Sequence, residues 1–218
     1  MEPNWAAEHL QVIRTLMERS ALYRRALAPI MILAGSIGIV AAAAGYYFSI
    51  VQPVSFVIYW FSIGAAAVCG AFLMSRRQAW QQSEPFWSPP TRRVAQAMLP
   101  ALFAGFALGA LVLLSGASAA AREQAPAPNR IVLVCLPLAW VILYGCAIHA
   151  AGFFMQRGMR LFGWGMVLGG SGGFLALGTQ TGPGLVVAGF GIMGFFFGAL
   201  HLAYGIYLYF TEQRRNDA

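Results

Sequence analysis

Two histidines, His149 and His201, are the only side chains inside the long apolar segments of this sequence that ionise readily near neutral pH. Each shares a predicted helix face with two glycines, which suggests that the two imidazoles lie at similar depth and face the interior of a helix bundle. Such a face either packs on a neighbouring helix, with a neutral imidazole bonded to a hydroxyl or carbonyl, or accommodates a flat group such as a porphyrin. Three interpretations therefore stay open: a structural pair, a pair of ligands for haem b, and a proton relay.

A serine in the fifth apolar segment suggests a different chemistry. Residues 169–172 read GGSG, which resembles the GxSG motif of rhomboid intramembrane proteases, and His201 in the next segment is a candidate base for Ser171. In rhomboids, however, the serine segment comes two before the histidine segment, whereas here the two are consecutive. The additional His and Asn of that family are also missing. An intramembrane hydrolase that uses Ser171 and His201 is therefore an alternative to the non-catalytic interpretations.

Acidic residues are absent from the apolar segments, since Glu84 and Glu123 lie in connections and the other carboxylates lie near the termini. Proton-driven and sodium-driven pumps commonly place carboxylates inside the membrane, so this pattern argues against an ion-coupled transporter. The three cysteines, Cys69, Cys135 and Cys146, have no metal-binding spacing. We expect no metal site and no catalytic residue in the leading interpretation.

The composition indicates what kind of protein holds these residues. Of 218 residues, 59% are hydrophobic and 10% are charged, whereas soluble domains carry about 25% charged residues. A membrane-spanning helix needs about 20 apolar residues, and six segments qualify: 27–48, 54–74, 99–121, 131–155, 161–178 and 185–210. Because backbone groups in hydrocarbon must bond within their own helix, the sequence predicts an all-α, six-helix membrane bundle over residues 27–210.

The arginines predict the orientation of this bundle. All 14 basic residues are arginine, and twelve of them lie before the first segment, in the second and fourth connections, and in the tail at 211–218. Only Arg122 and Arg130 lie on the other side. The positive-inside rule then places both termini in the cytoplasm, in what we expect to be a bacterial inner membrane. The arginines form no clustered basic face, so nucleic acid is not an expected partner.

Two stretches outside the six segments are predicted to lie at the membrane surface. Residues 1–26 show apolar positions at helical spacing and are predicted to form an amphipathic helix, which either lies on the bilayer or docks a partner protein or a second copy. The connection 75–98 combines Trp80, Phe86 and Trp87 with arginine pairs, and we expect it to lie flat among the lipid headgroups.

Glycines at a spacing of four residues predict close helix packing, because a small residue lets two helix backbones approach. The predicted packing positions are Gly105, Gly109, Gly165, Gly169, Gly173, Gly194 and Gly198. Residues 64–76 also align without gaps to residues 145–157, and more loosely to residues 198–208. This alignment suggests three repeated helical hairpins.

These features favour a non-enzymatic membrane protein with no cofactor, acting in transport or as an accessory or regulatory subunit. It would handle a small neutral or lipophilic molecule, or dock a partner. The alternatives are an electron-transfer or sensing protein that holds haem b between His149 and His201, and the Ser171–His201 hydrolase.

Overall fold

The computed structural model describes residues 27–81, 87, 89–121, 131–155, 157–177 and 184–216, and within these ranges it is helical without strands. The all-α prediction is therefore confirmed for this part of the chain. The predicted amphipathic helix over residues 1–26 lies outside it. The helices are α1 (Leu27–Tyr47), α2 (Pro53–Gln81), α3 (Pro89–Ala121), α4 (Val132–Ala151), α5 (Arg157–Leu177), α6 (Gly184–Met193), a π-helical turn (Gly194–Ala199) and α7 (Leu200–Asn216).

Five helical stretches of the described chain are long and apolar enough to cross a membrane: α1, α2, α3, α4 and the continuous α6–α7 rod. They indicate a membrane protein. The fifth predicted segment, α5, has 21 residues and so a length of about 31 Å, which matches the hydrocarbon core of a bilayer. It falls outside the five because its glycines, Ser171 and two arginines lower its hydropathy.

Several helix ends differ from the predicted segments. The connection expected to lie flat over residues 75–98 is largely helical, because α2 continues to Gln81 and α3 already begins at Pro89. The final helix continues to Asn216, into the predicted tail. In contrast, α4 ends at Ala151, four residues before the predicted end, although the following residues are apolar.

Helices that follow one another along the chain run antiparallel. Gly116 and Gly109 of α3 lie against Val54 and Phe61 of α2, so the end of one helix meets the start of the other. The same reversal relates α1 to the last rod, since Gly45 meets Phe190 while Gly205 meets Ile32. The start of α1 and the end of α7 therefore lie at the same end of the bundle.

The core lies around α4, which contacts α2, α3, α5 and α6. Half of the α4 span is buried inside the protein, against 17% for α2 and 11% for α3. We call α1, α4, α5 and the α6–α7 rod the hub, and α2 with α3 the hairpin. The hub interior is filled by apolar side chains that are fully buried, among them Leu133, Val134, Leu138, Val141 and Met166.

The predicted packing glycines separate into two groups. At Gly109, Gly169, Gly173, Gly194 and Gly198 an added Cβ would clash with a neighbouring helix, and at Gly105 it would reach ordinary contact, 3.5 Å from the Trp140 ring. Gly165 does not pack on a neighbour within the described chain. No atom lies within 4 Å of a Cβ built there, because this glycine faces outward.

Several close backbone approaches in the hub involve glycines that the spacing rule missed. A Cβ at Gly163 of α5 would lie 2.7 Å from the His149 nitrogen and 2.8 Å from the Gly145 carbonyl oxygen of α4. A Cβ at Gly205 of α7 would lie 2.8 Å from the Ile32 nitrogen of α1. Backbone cannot move aside as a flexible side chain can, so these crossings require glycine.

The stretches that suggested hairpin repeats differ in their surroundings. Gly64 of α2 has open space around it, whereas its aligned partners Gly145 and Gly198 each touch the backbone of a neighbouring helix. The repeat therefore stays a sequence-based prediction, without a common packing role for the aligned glycines.

Candidate functional site

A polar site in the hub interior lies beside the π-helical turn, where the regular α-helical hydrogen bonding is interrupted. In the π-helical turn, the Leu200 N–H bonds to the Phe195 carbonyl, five residues earlier, instead of to the Phe196 carbonyl. The Phe196 carbonyl thereby loses the partner that an α-helix would give it. A buried carbonyl left in this way needs another donor.

His201 supplies that donor. Its imidazole is 2% exposed, and its Nδ1–H donates to the Phe196 carbonyl at 2.8 Å. A carbonyl only accepts, so Nδ1 carries a proton; because burial disfavours a charged ring, the imidazole is neutral and Nε2 is the acceptor. The Tyr144 hydroxyl of α4 donates to Nε2 at 3.0 Å. The ring is therefore a neutral imidazole that ties α7 to α4, which is the structural interpretation of this histidine.

Aromatic rings enclose the same imidazole. Phe162 of α5 meets His201 edge to face with ring centroids 5.0 Å apart, and Phe197 stacks on it at 6.0 Å. The Tyr144 ring lies 5.4 Å away. Side chains from α4, α5 and the π-helical turn thus surround His201, so it joins three elements of the hub.

His149 has a different environment from the one predicted. It lies in the last turn of α4, is only half-buried, and its Nδ1 makes a long 3.4 Å contact to the Arg160 carbonyl of α5. Its ring packs edge to face on Phe153 at 5.3 Å and on Trp164 at 5.5 Å. This histidine therefore belongs to the end of the bundle rather than to its centre.

The two histidines are not brought together. His201 bonds to Tyr144, and His149 lies five residues further along the same helix, which is about 7.5 Å along its axis. Their hydrogen bonds and ring contacts in the described chain share no residue. The glycines that flank His201 pack on α1, whereas those that flank His149 pack on α5, and the equal depth of the two imidazoles stays a prediction. Haem ligation by both rings stays a prediction, and it would require Tyr144 to release Nε2.

Ser171 and His201 are also separated. Ser171 lies on the exposed face of α5, whereas both nitrogens of the buried His201 already have hydrogen-bond partners. The structure therefore does not assemble the serine–histidine pair of the hydrolase alternative.

The cysteines likewise form no common site. Cys69 and Cys146 are exposed, on α2 and α4, and Cys135 is half-buried. Among the described residues, no group of three or more His, Cys, Asp or Glu side chains could hold a metal ion.

The outer face of α2 is a surface that the sequence did not single out. Exposed side chains follow one another at alternating steps of three and four residues, at Ser55, Ile58, Ser62, Ala65, Cys69 and Phe72. This spacing is the one by which helices pack at a shallow angle, and four of the six side chains are small. The Ser62 hydroxyl bonds to the Ile58 carbonyl of its own helix, so it presents little polarity to the membrane. We call this surface the α2 stripe.

A groove continues the α2 stripe towards α1. Its volume is about 400 Å³, and it is open on its outer side. It is lined by Ser36, Ile37, Val40, Ala41, Ala44, Tyr59 and Ile63. The Tyr59 hydroxyl in this groove donates a hydrogen bond to the Ala41 carbonyl at 2.6 Å. The groove and the α2 stripe together form a continuous surface of small and apolar side chains.

Comparison with known proteins adds no relative to this description. No protein-family model matches the chain, and no curated protein and no solved structure matches it.

Proposed function

We propose that this protein is a non-enzymatic accessory subunit of a membrane assembly, and that a transmembrane helix of another protein packs on the α2 stripe. The observation that carries the proposal is the exposed spacing of small residues along α2. Without a hydrophobic force between helices in lipid, such small residues drive association by close packing. The groove beside Tyr59 would receive the larger side chains of the partner helix.

The filled hub supports this function over a passive path for a small molecule. The side chains at the centre of α4 and α5 are fully buried and apolar, and the polar pair Tyr144 and His201 is bonded to itself and to backbone. A tightly packed hub of this kind would hold the hairpin in a fixed position for a partner helix.

The membrane arrangement that we propose has six spans with both termini in the cytoplasm. In this arrangement α5 crosses the membrane in addition to the five stretches named above. Its contacts with α4 and the last rod stabilise it more than its own hydropathy does. The antiparallel order of the helices and the arginine distribution both support this arrangement.

Site-specific photo-crosslinking in native membranes tests the docking proposal. A diazirine-bearing aliphatic amino acid replaces Ile58 on the α2 stripe or, as a matched control, Ile206 on α7; the two side chains are 53% and 43% exposed. We expect a discrete protein adduct from position 58 and only lipid adducts from position 206. Lipid adducts alone from both positions would contradict the proposal.

A further inference from the structure

A cationic and aromatic cluster lies where α4 turns into α5. We call it the α4–α5 corner, and it consists of His149, Phe153, Phe154, Arg157, Arg160 and Trp164. The Arg160 guanidinium carbon lies 5.3 Å from the centre of the Phe153 ring, in a cation–π contact. His149 touches the rings of Phe153 and Trp164 and so holds the two aromatic side chains beside the arginine.

The positive charge of the corner has no counter-charge among the side chains that the structure describes. These include six arginines, at positions 76, 77, 92, 93, 157 and 160, but no aspartate or glutamate. Arg157 is exposed and Arg160 is half-buried. No carboxylate of the described side chains pairs with Arg160, and its guanidinium presents N–H donors in a fork that matches the geometry of a phosphate group.

The exposed rings indicate that this corner meets a membrane surface rather than bulk water alone. Phe153, Phe154 and Trp164 are 64%, 51% and 50% exposed. Because α4 runs antiparallel to α3, the end of α4 lies on the same side of the bundle as Arg92 and Arg93 at the start of α3. Aromatic and arginine side chains together are typical of the headgroup layer.

We propose that the α4–α5 corner binds the headgroup phosphate of an anionic phospholipid, with Arg157 and Arg160 as the donors. Phe153 orients the Arg160 guanidinium, and Phe154 and Trp164 lie beside the glycerol and upper chain region. The remaining arginines at this end of the bundle attract anionic lipid in general, whereas the corner holds one lipid molecule in a fixed place.

The outer face of α5 provides a path for an acyl chain of the same lipid. Gly165 and Gly172 have open space around them, and Leu168 between them is 64% exposed. From Gly165 to Leu175 the helix rises about 15 Å, which is half of the hydrocarbon thickness and therefore one leaflet. A chain that starts at the corner would thus pack along glycine backbone over its own leaflet.

Native mass spectrometry of the full-length protein, titrated with lipid in detergent, tests this site. We expect the first phosphatidylglycerol to bind more tightly than phosphatidylcholine. The double variant Arg157→Gln, Arg160→Gln should weaken that first binding step about 25-fold, since each arginine near an anionic headgroup contributes about fivefold. The matched control Arg92→Gln, Arg93→Gln removes the same charge from the same end of the bundle and should change this step less than about twofold.

Three results would overturn the proposal: equal affinity for phosphatidylglycerol and phosphatidylcholine, equal losses in the two double variants, or displacement of the lipid by inorganic phosphate. The last would assign the corner to a free anion. If the corner variant fails to fold, Arg157→Gln alone changes only an exposed side chain, and we expect about a fivefold loss from it. An unchanged affinity in that variant would exclude the site.

Discussion

The helices of the hub and those of the hairpin pack on their neighbours in two different ways. In the hub, helices cross with backbone against backbone at Gly145, Gly163 and Gly205, and a buried histidine joins the last rod to α4. In the hairpin, α2 and α3 contact their neighbours mainly through aromatic side chains, as where the Trp140 indole N–H donates to the Gly105 carbonyl at 2.8 Å. The small residues of α2 instead face outward. The comparison teaches that small residues on a membrane helix indicate contact, but the neighbour need not belong to the same chain.

The largest expected effect is all-or-none and concerns whether α5 completes the hub as a span. In a background without native cysteines, Thr181→Cys should react with an impermeant thiol reagent on intact cells, and Ser83→Cys should not. The two positions follow α5 and α2, so they lie on opposite sides only if α5 crosses the membrane. Reaction at Ser83→Cys alone would invert the orientation, and the same result at both positions would remove α5 from the spans.

Two neighbouring glycines on α5 provide the next test, within a single helix. Gly163→Leu should lower the free energy of unfolding in detergent by about 3 kcal/mol, because its side chain would meet the α4 backbone. Gly165→Leu extends into open space and should leave stability nearly unchanged. Equal losses in the two variants would mean that the outer face of α5 is packed as tightly as the inner one.

Hydrogen bonds from two tyrosines compare the hub with the junction between α1 and the hairpin. Tyr144→Phe removes the donor to the buried His201 Nε2, and we expect a loss of about 1.7 kcal/mol, the largest value measured for such bonds, whose average is about 0.6 kcal/mol. Tyr59→Phe removes a second donor from a helical carbonyl, so its loss should be about 0.6 kcal/mol. Denaturation in mixed micelles measures both. The reverse order would place the more important polar contact outside the hub.

The smallest expected effect concerns haem binding, for which we expect no change in the visible absorption spectrum of the protein. Because both nitrogens of His201 are bonded within the hub, protein expressed with added haem should show no Soret band. A Soret band that is lost in both His149→Ala and His201→Ala would instead establish haem ligation, and Tyr144 would then have to move.

The sequence predicts the positions of the helices well but their packing poorly, for physical reasons that particular residues illustrate. Hydropathy locates the helices because an apolar segment in lipid must satisfy its backbone hydrogen bonds internally. The predicted segment nevertheless extends beyond the end of α4, since the residues after Ala151 are also apolar. Gly165 and Gly163 look alike in sequence, and only the rotation of α5 against its neighbours distinguishes them. The Tyr144–His201 bond joins residues 57 apart in the chain, and no local pattern predicts the π-helical turn that frees the Phe196 carbonyl.

The variant Ala65→Leu tests most directly whether the α2 stripe is an interface, because one protein sample gives two measurements. Ala65 is exposed, so the larger side chain should leave the thermal unfolding of the subunit unchanged. Light scattering of the complex solubilised from native membranes should show the mass fall to that of the 23.5 kDa chain alone. An assembly of undiminished mass, with the unfolding also unchanged, would contradict the account.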